Sequence, residues 1–262
     1  MPEVCRAHGS SETTSMIEFK GIWKAFGDKE VLRGVDLAVQ TGQILFIIGS
    51  SGAGKSVLVK HLVGLLRADK GQIFLDGRDV TNLREHEFYE VRKRCAMVFQ
   101  NSTLFDSMTL LENVALPIRK HLKCSPKESA RLAMQRLALV EMDRVADRYP
   151  AEFGDGMRKK VAIARALTLD PEYIIFDEPT TGVDPISARI VDNVILELSR
   201  RTGVTSVVIS HDLRSIFGIA DRIAFLYKGQ LRLDGTRDDF RQSDDPVVRQ
   251  FIGGFADGPM EG

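Results

Sequence analysis

Short apolar runs alternate with amphipathic stretches along most of this chain. Five runs have the length and composition of buried strands, namely Ile44–Ile48, Cys95–Phe99, Tyr173–Phe176, Thr205–Ile209 and Ile223–Leu226. A helix is predicted after Asp184-Pro185, with Gly203 just past its end. Its predicted apolar face consists of Ile186, Ile190, Val191, Val194, Ile195 and Leu198. Strands that alternate with helices predict an α/β fold with a mostly parallel sheet core.

Two regions depart from this alternation. The segments Ile17–Phe26 and Val31–Gln40 are β-rich, and Gly71–Gly77 is a short strand closed by an Asp-Gly turn, so we expect an antiparallel β layer at the start of the chain. The pattern becomes helical over about residues 101–169, which predicts an inserted helical subdomain. Within it, Ser125–Glu128 has the form of a capping box with proline at the first helical position.

Composition excludes several classes of protein. The 262 residues include 36 Lys and Arg and 36 Asp and Glu, so no net charge points to nucleic acid, and we expect none as a partner. Three separated cysteines without a C-x-x-C pair argue against a disulfide framework or a zinc site. The apolar runs are far shorter than the ~20 residues that span a bilayer. Residues 1–15 have no apolar core of a secretory signal, and we expect a flexible N-terminus over residues 1–16.

Residues Gly49–Ser56 read GSSGAGKS and match the phosphate-loop pattern G-x-x-x-x-G-K-[ST]. The motif follows a predicted strand and precedes a predicted helix, which favours a nucleoside triphosphate site over a glycine-rich turn that binds nothing. Backbone N–H groups of such a loop surround a phosphate chain, Lys55 reaches the β- and γ-phosphates, and the Ser56 hydroxyl binds Mg²⁺. The candidate nucleotide-binding residues are Gly49, Ser50, Ser51, Gly52, Ala53, Gly54, Lys55 and Ser56.

A second candidate motif follows the run Tyr173–Phe176, where Asp177 and Glu178 come directly after the apolar residues. Parallel sheets bind ligands at the carboxyl ends of their strands. There Asp177 suits Mg²⁺, and Glu178 suits the polarisation of an attacking water. Gln100 and His211 also follow apolar runs, so that Gln100 is expected to contact metal and water and His211 the γ-phosphate. Strand-end acids and histidines are often only solvated, and the phosphate loop upstream is what favours catalysis here.

The order of these motifs resembles the ATPase subunits of ABC transporters, over residues 17–240. The resemblance implies a P-loop NTPase fold of ABC type, ATP and Mg²⁺ as cofactors, and a C-terminal tail over residues 241–262. It implies a head-to-tail homodimer that closes over two ATP molecules and drives an integral membrane permease.

The same resemblance implies roles for individual side chains. Phe26 takes the place of the aromatic residue that stacks on adenine, with Trp23 as the weaker candidate. Gln100 stands where the family senses both nucleotide and permease, and His211 is its switch histidine. Asp184 lies in a loop that crosses the dimer.

A narrower resemblance is to the ATPases of Mla phospholipid-transport systems, which work with MCE proteins. It is carried by Val91–Arg94, by Thr103–Phe105 and above all by the tail segments Asp245–Phe251 and Ala256–Pro259. It implies lipid transport between envelope membranes, an MlaE-like permease, an indirect MCE-domain partner, and a peripheral position on the cytoplasmic face of the inner membrane. The alternatives are the ATPase of an amino-acid or other small-solute importer, and an ATP-gated dimerisation switch that hardly hydrolyses ATP.

One motif departs from the family. The signature, usually Leu-Ser-Gly-Gly-Gln, reads Phe-Gly-Asp-Gly-Met here, and the residues expected across the dimer are Gly154, Asp155 and Gly156. Loss of a serine hydrogen bond to a charged group removes roughly 1.5–3 kcal/mol, and a carboxylate ~4 Å from a phosphate adds repulsion of about 1–4 kcal/mol. Asp155 is expected to cap the following helix, with Arg158 and Lys159 placed to neutralise it. We therefore expect ATP binding to persist and hydrolysis to be slow.

Overall fold

The computed structural model describes residues 16–260, whose strands form two sheets. The strands are β1 (Met16–Phe26), β2 (Lys29–Gln40), β3 (Ile44–Ile48), β4 (Lys70–Leu75), β5 (Arg78–Asp79), β6 (Cys95–Val98), β7 (Tyr173–Asp177), β8 (Thr205–Ile209), β9 (Arg222–Tyr227) and β10 (Gln230–Gly235). One sheet has the order β2-β1-β4-β5 and is antiparallel. The other has the order β10-β9-β3-β8-β7-β6 and is parallel except for β10 at its edge.

Helices surround the parallel sheet and form a separate group in the middle of the chain. The α-helices are α1 (Lys55–Leu62), α2 (Glu85–Arg94), α3 (Leu110–His121), α4 (Pro126–Leu139), α5 (Asp155–Ala166), α6 (Pro185–Thr202), α7 (Leu213–Ile219), α8 (Arg237–Arg241) and α9 (Pro246–Gly253). Helices α3, α4 and α5 pack against one another. Over residues 16–260, no helix has both the length and the apolar character needed to cross a bilayer.

Strand β3 lies at the centre of the molecule and divides the core in two. All five of its residues are buried. Because side chains alternate along a strand, Ile44, Phe46 and Ile48 join the core shared with the helical region, whereas Leu45 and Ile47 pack towards the antiparallel sheet. Burial on both faces explains why the sequence of β3 is a continuous apolar run. The predicted α/β fold with an antiparallel layer is confirmed.

The first residues of the predicted helical subdomain form a loop rather than a helix. Residues 101–109 form a loop, and the first helix of the region begins at Leu110. The buried Asn113 explains this, because its amide accepts from Phe105 N and donates to the carbonyls of Phe105, Met108 and Thr109. These bonds satisfy the loop backbone without a helix.

The predicted capping box at Ser125 is only half formed. Ser125 Oγ accepts from Glu128 N at 3.2 Å, as expected for a helix N-cap. The Glu128 carboxylate binds Arg131 instead of returning to the Ser125 backbone. The ion pair to a charged partner on the next turn therefore replaces the second bond of the box.

Helix α6 begins and ends as predicted, but its predicted apolar face is partly wrong. Asp184 caps the start and Gly203 the end. The buried stripe is centred on Val191 and Ile195, whereas the side chains of Ile186 and Ile190 are 76% and 42% exposed. At about 100° per residue, Ile186 and Ile190 fall on the opposite side of the helix from this stripe.

The termini are described only in part. The predicted flexible N-terminus falls on residues 1–15, which lie outside the described residues, and Met16 already belongs to β1. The tail folds onto its own chain as far as Met260. Gln250, which is buried, donates to the carbonyls of Phe255, Ala256 and Met260 and accepts from Met260 N at 2.6 Å. The segment after α9 is therefore held against that helix.

Candidate nucleotide-binding site

A cleft of about 730 Å³ opens beyond the carboxyl end of β3. It is lined by Phe26, Lys29, Val31, Gly49, Ser50, Ser51, Gly52, Gly54, Lys55, Ser56, Val57, Gln100, Glu178, Thr181, His211 and Phe251. Most of the side chains predicted from the phosphate loop, the acidic strand end and the two neighbouring strand ends therefore meet here. Their strands are adjacent and parallel, so that their carboxyl ends share one edge of the sheet.

The phosphate loop depends on two glycines that no other residue could replace without displacement. Gly49 has a φ of 147°, and a Cβ at this position would lie 2.2 Å from the Leu226 carbonyl oxygen. Gly54 has a φ of 99° and immediately precedes α1. Both backbone conformations lie in the region that favours glycine. The loop consequently turns tightly into the N-terminus of a helix, the geometry that binds phosphate.

Lys55 lies inside this loop. Its Nζ donates to the carbonyls of Gly49 at 2.8 Å and Ser50 at 3.0 Å, and the residue is 7% exposed. Burial lowers the pKa of Lys55, and the nearby carboxylates of Glu178 and Asp177 oppose that shift. The ammonium group is thus fixed at the centre of the loop, where its charge suits phosphate oxygens.

Ser56 and Asp177 meet although 121 residues separate them in the chain. Ser56 Oγ donates to Asp177 Oδ1 at 2.6 Å. A hydroxyl and a carboxylate are oxygen ligands of the kind that Mg²⁺ takes alongside waters and substrate phosphates. Among residues 16–260 no cluster of three acidic, histidine or cysteine side chains forms a metal cage. The pair fits a magnesium ion that is shared with a nucleotide rather than one enclosed by protein.

Glu178 is held by two side chains at the edge of the cleft. Its Oε2 accepts from Thr181 Oγ1 at 2.6 Å and lies 2.8 Å from His211 Nδ1. The carboxylate is largely buried, whereas the imidazole is mostly exposed. A carboxylate that lines a phosphate-binding cleft and is fixed by a histidine has the geometry to orient and polarise a water molecule.

The two aromatic candidates for adenine contact are separated by the structure. Phe26 lines the cleft, is 48% exposed, and has Lys24 Nζ 5.4 Å from its ring centre. Trp23 does not line it: its indole packs over Gly34, where a Cβ would lie 3.2 Å from Nε1. Gln100 is exposed and lines the cleft, and its contact with metal and water stays a prediction.

Phe251 was missed as a site residue. It belongs to α9 near the end of the chain, lines the same cleft, and packs against Phe225 with ring centres 5.0 Å apart. Its sequence signal is the tail segment Asp245–Phe251, which carries the narrower family resemblance. No local pattern shows that a helix so distant in sequence returns to the phosphate loop.

The altered signature lies outside this cleft. Asp155 lines a second cleft of about 410 Å³ together with Gln100, Thr181 and neighbouring residues. Asp184 Oδ1 accepts from the backbone N–H groups of Ile186 and Ser187 and caps α6. A role of Gly154, Asp155, Gly156 and Asp184 towards another subunit therefore stays a prediction.

Asp155 is not the N-cap that the sequence predicted. Gly154 has the extended backbone of the N-cap, and Asp155 is the first helical residue of α5. Its carboxylate accepts from Arg158 Nη2 at 2.6 Å, as predicted. Lys159 instead donates to the carbonyls of Glu178 and Thr181. One turn of helix brings Arg158 to Asp155, whereas tertiary packing brings Lys159 to the Glu178 loop.

Known proteins resemble this chain over most of its length. The family model described as ABC transporter matches residues 32–181. The "Intermembrane phospholipid transport system ATP-binding protein MlaF" of Haemophilus influenzae is 37% identical over 246 residues, which cover 94% of this chain and 93% of that protein. The "Probable ribonucleotide transport ATP-binding protein mkl" of Mycobacterium tuberculosis is 36% identical over 244 residues, covering 93% of this chain and 68% of that protein.

A solved structure has the same fold. The dimeric, post-hydrolysis state of the ATP-binding cassette MJ0796 with ADP and Pi superposes with a TM-score of 0.77 and 28% identity. The match covers 84% of this chain and 98% of that one.

Proposed function

The chain belongs to the ABC transporter family, and we propose that it is the ATP-binding and ATP-hydrolysing subunit that energises a membrane permease for phospholipids or other lipids. The observation that carries the proposal is that the phosphate loop, Gln100, Glu178 and His211 line one cleft, and that Asp177 is hydrogen-bonded to Ser56 of the loop. The identity to a relative named for intermembrane phospholipid transport, over 94% of this chain, supports the cargo class.

In this function the loop Gly49–Ser56 binds the phosphates through its backbone N–H groups and Lys55. Ser56, Asp177 and Gln100 would hold Mg²⁺, which supplies positive charge that neutralises phosphate oxygens. Phe26, which lines the cleft, contacts the adenine base. Each assignment uses a side chain that lines the cleft or bonds to one that does.

Hydrolysis then requires a water molecule directed at the γ-phosphate. Glu178 accepts a proton from that water through its carboxylate, while His211 and Thr181 hold Oε2 at 2.8 Å and 2.6 Å. His211 also contacts the γ-phosphate and stabilises charge as the bond to the leaving group breaks. The exposed position of the imidazole allows it to reach a phosphate at the mouth of the cleft.

We further propose that two copies pair head to tail, so that Gly154, Asp155, Gly156 and Asp184 of one copy face the nucleotide of the other. The ATPase domain spans residues 17–240 with its helical subdomain over about residues 101–169, and residues 241–262 form the tail. The proposed partners are an MlaE-like permease and, indirectly, an MCE-domain protein. The subunit would then lie on the cytoplasmic face of the inner membrane, attached through the permease.

One observation favours a second function. Gly154 stands where the family signature has a serine, so a hydrogen-bond donor is lost, and Asp155 adds a carboxylate where the signature has a glycine. Both changes support an ATP-gated dimerisation switch with little turnover. The two functions share ATP binding and differ in hydrolysis.

The test reconstitutes the full chain with its permease in vesicles and measures ATP turnover together with transfer of a fluorescent phospholipid to acceptor vesicles. We expect transfer that depends on ATP. In Glu178→Gln, ATP should still bind while turnover and transfer fall by at least ~10²-fold. ATP-dependent uptake of ribonucleotide without lipid transfer would contradict a lipid cargo. It would favour ribonucleotides, the cargo in the name of the mycobacterial relative. Turnover in wild type no higher than the background without protein would favour the switch.

A further inference from the structure

Lys159 is a buried lysine that binds the loop carrying Glu178. It lies on α5, four residues after Asp155, and is 4% exposed. Its Nζ donates to the carbonyl of Thr181 at 2.9 Å and to that of Glu178 at 3.2 Å. Lys159, from the helical region, therefore binds the first and the last residue of the Glu178–Thr181 turn that follows β7.

A buried ammonium group normally has a carboxylate partner, because removing an unpaired charge from water is costly. The hydrogen-bond partners of Lys159 in the described part of the chain are carbonyl oxygens instead. Burial lowers its pKa, while the charges of Asp155 and Glu178 act in the opposite direction. The Lys159 ammonium group thus lies between the altered signature and the acidic end of β7. Its N–H groups donate to backbone carbonyls of the turn that follows β7.

The turn that Lys159 binds has an unfavourable backbone conformation. Glu178 has a φ of 54°, a left-handed conformation that costs free energy for a residue other than glycine. Glu178 N donates to Ile209 O at 3.0 Å, and Thr181 N donates to Glu178 O at 3.3 Å. Such a conformation persists only where surrounding contacts determine it. Lys159 supplies two of these contacts, one to the Glu178 carbonyl that also accepts from Thr181 N, and one to the Thr181 carbonyl.

We propose that Lys159 is a positioning residue for Glu178: by binding the carbonyls of Glu178 and Thr181, it lets helix α5 determine where the Glu178 carboxylate lies. This inference rests on the proposed role of Glu178 in hydrolysis. A movement of α5 relative to β7 shifts the ammonium group, the turn and Thr181, whose hydroxyl holds Glu178 Oε2 at 2.6 Å. The segment that begins at Gly154 is thereby linked mechanically to the water-activating carboxylate.

The test compares Lys159→Met, Lys159→Arg and the matched control Lys160→Met in the full chain assembled with its permease. Lys160 is the adjacent buried lysine of α5, and its Nζ contacts Glu141 Oε2 at 3.4 Å rather than the Glu178 turn. For Lys159→Met we expect kcat to fall by ~10- to 100-fold, since a misplacement of about 1 Å has effects of this size. KM for ATP should change less than about twofold, because the phosphate loop is untouched.

Comparison among these variants separates positioning from folding and from the proposed function. Lys159→Arg keeps charge and donors and should recover most of kcat, and Lys160→Met should resemble wild type. In a Glu178→Gln background, Lys159→Met should lower the residual turnover no further. If Lys159→Met does not fold, as judged by circular dichroism, Lys159→Gln replaces it with the same expectation.

Wild-type kcat in folded Lys159→Met or Lys159→Gln overturns the inference, and so does an equal loss in Lys160→Met. Wild-type turnover in Glu178→Gln would instead overturn the proposed role of Glu178 itself.

Discussion

Arg158 binds Asp155 within the first turn of helix α5, with Nη2 2.6 Å from Oδ1. Both side chains remain partly exposed, at 36% and 53%. An ion pair of this exposure contributes little to stability and screens the carboxylate only in part. Asp155 therefore keeps negative charge at the place where the family has a glycine.

This geometry predicts the effect of restoring the family signature. Gly154→Ser with Asp155→Gly should raise ATP turnover and tighten the ATP-bound dimer, because a donor returns and a repelling charge is removed. The Asp155→Gly component should be larger at low salt, where screening is weaker. Turnover and dimer fraction of both single variants and the double variant measure this. A folded double variant no faster than wild type would show that Arg158 already neutralises Asp155.

Phe251 should contribute to nucleotide binding from the C-terminal helix. We expect Phe251→Ala to raise KM for ATP several-fold with a smaller change in kcat, because an aromatic contact contributes ~0.5–1.5 kcal/mol beyond its buried area. Phe255→Ala is the matched control, since Phe255 belongs to the same tail, is 65% exposed and does not line the cleft. Equal KM values in the two variants would remove Phe251 from the site.

Asp192 should make stability depend on pH. It is 2% exposed, and burial raises its pKa to about 6, although Ser215 Oγ donates to it at 2.9 Å. An acid whose pKa is raised on folding binds more protons in the folded state, so its ionisation lowers the free energy of unfolding as pH rises from about 4 to about 6. Asp192→Asn should lack this decrease. The change in the free energy of unfolding between pH 4 and pH 7 should therefore differ between wild type and the variant by ~1–3 kcal/mol.

Chemical denaturation of wild type and Asp192→Asn between pH 4 and pH 7.5 measures that difference. Asp212 and Arg189 also act on Asp192, the first raising and the second lowering its pKa, and both residues are retained in the variant. Parallel stability curves across this range would contradict the raised pKa.

Phe105 is the best-placed residue for a permease contact in the loop after Gln100. Its side chain is 49% exposed, whereas Leu110 in the same region is fully buried and serves the core. We expect Phe105→Glu to abolish co-purification with the permease while the chain stays folded. Leu139→Glu, at an equally exposed apolar position of α4, is the control and should co-purify. Retention of the permease by Phe105→Glu would place the contact elsewhere.

Features that depend on neighbours in the sequence were predictable. The phosphate loop is one, because Gly49 and Gly54 determine where the backbone can turn and Lys55 follows at fixed spacing. The bounds of β3 and β8 agree with the predicted runs, which are mostly apolar because both faces of these parallel strands are buried. The start and end of α6 follow from Asp184 and Gly203 for the same local reason.

Features that depend on distant packing were not predictable. The exposed side of α6 required knowing which neighbour covers Val191, and the first helical residue of α5 required knowing where Gly154 takes its extended backbone. The partner of Lys159 was predicted from helical spacing to be Asp155, yet the lysine reaches the turn after β7. Sequence spacing indicates which side chains of one helix are close to each other, but it does not indicate which residues of other elements they contact.

The sequence by itself determined the chemistry: a phosphate loop, a hydroxyl and a carboxylate of the kinds that suit Mg²⁺, and a glutamate at a strand end. Each is a residue type at fixed spacing from a glycine or an apolar run, so local backbone geometry suffices to specify it. Only the tertiary structure decided which distant groups act on that chemistry. Lys159 and Phe251 reach the site because helices α5 and α9 pack beside the sheet edge, and such packing depends on the whole core rather than on any short segment.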